Sequence, residues 1–406
     1  YAIKPIQLYS MESKKPLTFI DLFSGAGGLS YGLENAGLKC LLGLDFLEPA
    51  IETFKQNHKD AIGMCADIQK IDTADIQKIL KRKTVDLICG GPPCQGFSTI
   101  GAGDANDSRN HLFLDFVRFV KDFNPKYILV ENVTGLLAKK NEDTLKSIFK
   151  CFNDLGYELD IRVLSANHYG VPEARRRVII LGNNIKAENF YPEKEFANFG
   201  EVNNKLKKVR TVGWAFENLM SFRNKTHNHD VESAFIKSNI ELARINAVPE
   251  GRYIRYERDE KELLPEELWF DHNWKTMSEG RFREAKFYRL DRNKPSPTIV
   301  TNRKMYYHPT ENRYLTAREA AALQSFPGKF IFAGSVSKQW TQIGNAVPPI
   351  MAEALGKAIL KTHANRQKKV KGTKVFNFDA LRSYAFKYNK DTFDHAKAHQ
   401  EELNFK

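Results

Sequence analysis

The sequence predicts an α/β protein with a doubly wound, mostly parallel sheet and a smaller second domain. Three observations predict this. From residue 17 to about 182, short apolar runs alternate with amphipathic helical patterns. Such alternation implies parallel strands joined by crossover helices. The first apolar run enters a Gly-rich turn, Ser24-Gly25-Ala26-Gly27-Gly28, just before a helical pattern. After Gly182 the texture shifts to Asn, Lys, Arg, Glu and aromatics, and apolar periodicity returns at 315–326 and 350–360.

Each element has its own signal. Residues 17–23 read as a buried strand, and 28–35 as a helix that Gly37 can end. Residues 40–44 are a second strand and 48–57 a second helix. The runs 85–89, 127–130 and 178–181 are further aliphatic or β-branched strands. Residues 112–122 and 144–155 are amphipathic helices between them. Met11 reads as a native start, with 1–10 as an appended segment. The first domain then spans 11–183, the second 184–290, the return 291–360, and a helical extension 361–406 that opens with a basic stretch at 366–374.

Charge and cysteine usage narrow the function. The chain of 406 residues has 62 Lys plus Arg against 49 Asp plus Glu, a net charge of +13. That excess favours an anionic partner, nucleic acid first. No uncharged apolar run approaches the ~20 residues of a membrane span. The start lacks a basic stretch followed by an apolar one, so no signal peptide is expected. The five cysteines (Cys40, Cys65, Cys89, Cys94, Cys151) are too scattered for a disulfide framework. A reducing cytoplasm follows, with any special cysteine catalytic. No Cys-x2-Cys pair exists and His227-x-His229 has no companion motif, so no metal is expected.

The Gly-rich turn lets backbone approach a ligand and presents free helix N–H groups. It lacks the full G-x-G-x-x-G pattern, so a pyrophosphate is not indicated. Asp45 follows Gly25 by 20 residues, where doubly wound folds place an acid on ribose hydroxyls. Phe46 is placed to stack on an adenine. Asp67 is placed to accept from the adenine amino group, with Ile68 packing beside it. Together these favour an adenosine without phosphates.

A second constellation follows the strand at 85–89. It reads Gly90-Gly91-Pro92-Pro93-Cys94-Gln95-Gly96-Phe97-Ser98. Ligands in this fold bind beyond the carboxyl ends of strands. Two prolines stiffen the approach to Cys94 and glycines clear space around it, a setting that suits a nucleophilic thiolate. Cys89 and Cys151 read as small buried apolar groups.

Here the chain resembles the DNA cytosine 5-methyltransferases of prokaryotic restriction–modification systems. Pro-Pro-Cys-Gln-Gly-Phe-Ser is similar to that family's nucleophile motif, and Asp21-Leu22-Phe23-Ser24-Gly25-Ala26-Gly27-Gly28 to its S-adenosylmethionine motif. Further blocks follow in family order: Glu131-Asn132-Val133, Gly170-Val171-Pro172-Glu173-Ala174-Arg175-Arg176-Arg177, 313–321, 324–327 and 342–348. The likeness covers about 17–182 and 290–360. It implies that 11–183 and 291–360 form the catalytic and cofactor-binding domain and that 184–290 is the target-recognition domain.

What the resemblance implies about residues is specific. Cys94 adds to carbon-6 of cytosine, and Glu131, just after its strand, assists at N3. Arg175 and Arg177, two apart in an extended run, point the same way, and one or both contact the cytosine carbonyl or the flipped nucleotide's backbone; Arg176 points elsewhere. Gly25, Ala26, Gly27, Gly28, Asp45, Phe46, Asp67 and Ile68 bind S-adenosylmethionine, which leaves as S-adenosylhomocysteine. Phe23, Pro93, Leu112 and Asn345 line that site too. Gln95, Ser98 and Arg109 contact DNA, and the loop 97–110 closes over the flipped base. Asp45 replaces the family's usual Glu, and Phe46 stands where Trp is frequent.

The middle segment interleaves Lys205, Lys207, Lys208, Arg210, Arg223, Lys225, Arg252, Arg255 and Arg258 with Trp214, Tyr253 and Tyr256. Such mixtures suit phosphate contacts and a few base contacts. The expected partner is double-stranded DNA, with no membrane and no metal. A cognate restriction endonuclease is expected in the cell, but not as a stable subunit, and the enzyme is expected to be a monomer. Two alternatives compete. The family's tRNA branch usually continues its nucleophile block with Pro-Phe-Thr, whereas this chain has Gly96-Phe97-Ser98. A silent DNA-binding module would not need Cys94, Glu131, Arg175 and Arg177 together.

Overall fold

The computed structural model describes residues 15–93, 108–220, 226–277, 280–369 and 376–386. Seven strands form the main sheet: β1 Thr18–Leu22, β2 Lys39–Asp45, β3 Ile62–Cys65, β4 Leu87–Gly90, β5 Tyr127–Val133, β6 Glu158–Ser165 and β7 Arg176–Asn183. Their order is β3-β2-β1-β4-β5-β7-β6. The pairs from β3 through β5 are parallel. β7 is antiparallel to β5 and to β6. Strand order reverses between β1 and β4, so this is where a doubly wound sheet opens a crevice.

Period-two alternation divides the sheet between two helical layers. The early helices are α1 Gly28–Asn35, α2 Glu48–Asn57, α3 Thr73–Leu80, α4 Ser108–Phe123 and α5 Glu142–Asp154. Ile20, Leu22, Ile88, Ile128 and Val130 face a core filled by Phe113, Phe116 and Phe119 of α4 and Ile148 and Phe152 of α5. Phe19, Leu87, Cys89, Tyr127 and Leu129 face the opposite core, with Leu29 and Leu33 of α1 and Ile51 and Phe54 of α2.

The later helices are α6 Val212–Met220, α7 Asn239–Ala247, α8 Glu257–Leu263, α9 Ala317–Leu323, α10 Val336–Asn345, α11 Pro349–Ala364 and α12 Phe378–Phe386. The late chain packs on the α1 layer of the main sheet. Met351, Leu355 and Ile359 of α11 complete the core over α1. Gly32 permits that approach, since a Cβ there would lie 2.3 Å from the Pro349 carbonyl oxygen. α12 covers the other layer, with Phe376, Phe378 and Leu381 packed against the α4–α5 core.

A separate small core gathers Ala234, Ile245, Ile254, Trp274, Phe282, Tyr307 and Tyr314. It holds the antiparallel pair β8 Ile254–Tyr256 and β9 Arg281–Lys286. β10 Tyr288–Arg289 pairs with β11 Tyr306–Tyr307 beside it. Another cluster joins the Gly-rich turn to the late chain, from Ala26 through Leu290 and Ile299 to Ala320 and Ile343.

Among the described residues, no helix is long and apolar enough to cross a membrane. No group of three or more His, Cys, Asp or Glu is placed to hold a metal among them.

Candidate active site

A cavity of about 700 Å³ opens at the carboxyl ends of β1, β2, β4 and β5. Its first wall is the turn after β1. Phe23, Gly25 and Gly27 all have positive φ (61°, 53° and 88°), so the chain doubles back before α1 begins. Gly25 N–H donates to Asp45 Oδ2 at 2.9 Å and Leu47 N–H to Asp45 Oδ1 at 2.9 Å. Asp45 thus fastens two backbone segments while lining the cavity. Burial pushes its carboxyl up, opposed by these backbone donors. Gly28 admits the late chain, because a Cβ there would lie 2.5 Å from the Val347 carbonyl oxygen.

The other predicted adenosine contacts gather around the same space. Phe46 is 68% exposed, an unusual placement for a large ring on a cavity wall. Asp67 accepts from Gln69 N–H at 3.1 Å and so caps the turn that buries Ile68. Phe23, Ala26, Pro93, Leu112 and Asn345 line the cavity as well. Gly27 and Gly28 lie behind the turn, where Gly27 is backed by the His58 ring and Gly28 by Val347. Two polar atoms in the wall, Asp21 Oδ1 and Ser24 Oγ, are buried and find no partner among the described residues. Asp21 accepts from Ser30 Oγ at 2.6 Å through its other oxygen. Burial first, and then the Asp45 charge, raise its pKa to about 7.

The second wall is β5 and β7. Sequence reading put Glu131 just after its strand. It lies inside β5 instead, paired with Ile179. The apolar run ends at Val130, but the antiparallel ladder with β7 carries the strand on to Val133. Arg177 stands diagonally across that ladder, and its Nε meets Glu131 Oε1 at 2.9 Å. A Cβ at Gly91 would lie 3.1 Å from Glu131 Oε2, so the carboxylate reaches the chain leading to Cys94. Asn132 Nδ2 donates to the Pro92 carbonyl at 2.8 Å and fixes the same approach.

Arg175 and Arg177 both line the cavity, and Arg176 turns away. Their environments differ. Arg175 is 1% exposed, and its Nη atoms donate to the Ile299 and Gly344 carbonyls at 3.3 and 2.9 Å. Burial lowers its pKa to about 10. Glu173 accepts from Ile299 N–H at 2.6 Å, and burial raises its pKa to about 7. Cys94, Gln95, Ser98 and the loop 97–107 lie outside the described residues, as does the Arg109 side chain.

Three cavity groups carry roles that sequence reading missed, Asp21, Ser24 and Asn132, as does Glu173 beside Arg175. Asn132 had a legible signal, a polar side chain one position beyond a strand acid and therefore on the opposite face. Asp21 had one too, an acid inside an otherwise apolar strand run.

A family model for C-5 cytosine-specific DNA methylases matches residues 17–361. The chain belongs to this family. This C-5 cytosine DNA methylase is 34% identical over 352 residues to the type II methyltransferase M1.HphI of Haemophilus parahaemolyticus, covering 86% of this chain and 88% of that one. It is 32% identical to M.DdeI of Desulfomicrobium norvegicum, over 84% and 88% of the two chains. Among solved structures it resembles a prophage-encoded E. coli protein assigned as a DNA modification methyltransferase. That match has a TM-score of 0.62 at 25% identity and covers 86% of this chain and 99% of the other. The S. pombe Dnmt2 methyltransferase shares the fold, with a TM-score of 0.53 at 21% identity over 86% and 100% of the chains.

Several basic residues of the methylase's middle segment are engaged internally. Arg210 Nη1 donates to the Gly170 carbonyl at 2.9 Å, and its guanidinium sits 4.1 Å over the Trp214 ring. Lys207 pairs with Glu195 at 2.8 Å and Arg252 with Glu262 at 2.9 Å. Arg258 lies 3.5 Å from Asp259 and over the Tyr256 ring. Arg223 and Lys225 lie outside the described residues.

Proposed function

We propose that this methylase uses S-adenosylmethionine to methylate carbon-5 of a cytosine flipped out of a short duplex site. The observation that carries the reading is one cavity shared by two constellations, the Asp45–Gly25 turn and the Glu131–Arg177 pair. The cofactor site fits an adenosine bearing a charged amino-acid tail. Asp45 keeps lone pairs for ribose hydroxyls, Phe46 offers an open ring, and Asp67 offers an acceptor. The unpartnered Asp21 Oδ1 and Ser24 Oγ suit the polar tail. When bound there, the cofactor supplies an electrophilic methyl group.

The protein's own residues do the rest. The Cys94 thiolate forms a bond to carbon-6, and the ring's electron pair shifts toward N3 and carbon-5. Glu131 shares or donates a proton at N3, where negative charge builds. Carbon-5 then takes the methyl group. Loss of the carbon-5 proton to a base or water re-forms the double bond and expels Cys94 as thiolate. Arg177 holds the Glu131 carboxylate in place and faces the cytosine. Arg175, fastened to the Ile299 and Gly344 carbonyls, positions the late chain at the site. The pocket must receive an extruded base, at a cost of a few kcal/mol.

The named type II relatives support a further reading, the modification half of a restriction–modification system; we further propose that it acts in the cytoplasm as a monomer. In this reading residues 184–290 recognise the target, and Gln95, Ser98 and Arg109 contact DNA.

The test is methyl transfer from labelled S-adenosylmethionine to duplex DNA, followed by bisulfite sequencing. Conversion-resistant cytosines in one short motif are expected. Duplexes with fluorine at carbon-5 have no proton to lose there and should trap a Cys94 adduct, which Cys94→Ser abolishes. Transfer to tRNA but to no duplex would overturn the substrate. Transfer to neither would overturn the reading.

A further inference from the structure

The family match ends at residue 361, yet helix α12 at Phe378–Phe386 is tied to the turn that follows β5 and to the first residue of β7, next to the strands that carry the candidate catalytic pair. The β5–β7 ladder ends at the rung Val133↔Arg177. Beyond that rung no sheet pairing joins β5 to β7 among the described residues, although β7 remains paired with β6 at Ser165↔Arg176. Arg382 reaches the β5 side. Its Nε donates to the Leu137 carbonyl at 2.8 Å, in the turn Thr134–Leu137 that follows β5, and its Nη2 meets Glu142 at 3.0 Å. Tyr384 reaches the β7 side. Arg176 Nη1 donates to the Tyr384 carbonyl at 3.1 Å, and the Arg176 guanidinium lies 5.4 Å over the Tyr384 ring.

The helix is anchored independently of these ties. Phe376 and Phe378 pack on Phe149 with ring centroids 5.0 and 6.0 Å away, and Ala385 is buried in the same core. A helix seated by apolar contacts thus presents two polar ties at the open end of the ladder. One fixes the turn after Glu131-Asn132-Val133. The other fixes the residue between Arg175 and Arg177.

We propose that α12 is a positioning clamp for methyl transfer. Arg382 holds the turn that follows β5 and Tyr384 holds the start of β7, so that Glu131 and Arg177 keep the separation the reaction needs. This rests on the reading of Glu131 and Arg177 as groups facing the cytosine. Catalytic geometry is sensitive at about the ångström level, so a clamp remote from the substrate is felt in the rate of the chemical step.

The test uses the full chain in single-turnover methyl transfer at saturating S-adenosylmethionine and duplex, with KM values and melting temperatures alongside. Arg382→Ala is expected to slow transfer about five- to twentyfold; Tyr384→Ala, which removes the ring under the Arg176 guanidinium but keeps the carbonyl that Arg176 bonds, should slow it about two- to fivefold. Both KM values should stay within about twofold. Arg382→Lys should recover part of the rate. Phe378→Ala, which removes apolar anchoring only, is the structural comparator. It should lower the melting temperature more than Arg382→Ala, and the rate less. The clamp is overturned if Arg382→Ala and Tyr384→Ala transfer at the wild-type rate. It is also overturned if rate loss simply follows melting temperature across all three alanine variants. Glu131→Gln separates the two readings. If it transfers at the wild-type rate, the catalytic reading itself has failed. If it is inactive while both α12 variants are unimpaired, only the clamp has failed.

Discussion

On the β1–β2 side of the sheet the candidate cofactor site is made largely of backbone. Gly25 and Leu47 N–H groups converge on Asp45, and the turn's shape comes from positive φ at Phe23, Gly25 and Gly27. On the β5–β7 side the candidate catalytic pair is side chain to side chain, Glu131 with Arg177 across an antiparallel ladder. In the proposed reading the first arrangement binds the cofactor by shape, and the second places charge where the reaction develops it. If that division is right, damage on the two sides should separate, with affinity lost on one and turnover on the other.

The largest effect belongs to the catalytic side. Glu131→Gln keeps the shape but cannot give up a proton as the acid does. It should lower kcat by about 10²–10⁴-fold, with KM for S-adenosylmethionine unchanged in steady-state assays. A raised KM with intact kcat would dissolve the division.

Next comes Asp21, beneath the cofactor turn. Its pKa is raised from 3.8 to about 7, so the native state favours the neutral acid. That contribution to stability is full below about pH 4 and is lost as pH rises to about 7. Asp21→Asn removes the titration and still accepts from Ser30. Urea unfolding at pH 5 and pH 8 should show the variant's relative stability rising with pH, by an amount on the order of a few kcal/mol. An unchanged pH dependence would mean that Asp21 is ionised in the native protein. Glu173, buried beside Arg175 and raised to about 7, should contribute a slope of the same sign, removed by Glu173→Gln.

A third test returns to backbone shape. Gly28→Ala places a methyl 2.5 Å from the Val347 carbonyl oxygen and 2.9 Å from the Phe326 ring. Overpacking of this kind costs about 1–3 kcal/mol. It should appear as weaker S-adenosylmethionine binding by calorimetry and a lower melting temperature, with kcat at saturation kept.

The same division explains what was legible in the sequence. Helices 28–35 and 48–57 and the Gly-rich turn were readable because glycine spacing and apolar period are local. β3 gave little signal, being four residues at a half-exposed edge. β6 was hidden because Asp160 and Arg162 interrupt its apolar run. The direction of β7 could not be read at all, since parallel and antiparallel strands share one alternation. Motif blocks predicted that Glu131 and Arg177 would gather. Their 2.9 Å pairing depends on ladder register, which no local pattern encodes. Arg175 looked equivalent to Arg177 by spacing. Burial against Ile299 and Gly344, more than 100 residues away in the chain, makes it different. The ties of α12 to Arg176 and Leu137 were likewise invisible, because they join segments that only the fold brings together.

The smallest expected effect is at Phe46, where the backbone side of the comparison depends on one side chain. Its ring is 68% exposed beside Asp45, so little of its own burial stabilises the fold. An adenine seated there would cover the ring, and an aromatic pair contributes about 0.5–1.5 kcal/mol beyond area. Phe46→Ala should therefore weaken S-adenosylmethionine binding about two- to tenfold while leaving kcat and melting temperature alone. Phe46→Trp should tighten binding modestly, since a larger ring offers more stacking area. Calorimetric titration of both variants decides the matter. Equal affinities for alanine, phenylalanine and tryptophan would place the adenine elsewhere. A fall in kcat without a change in affinity would move Phe46 to the catalytic side of the cavity and break the separation between its two walls.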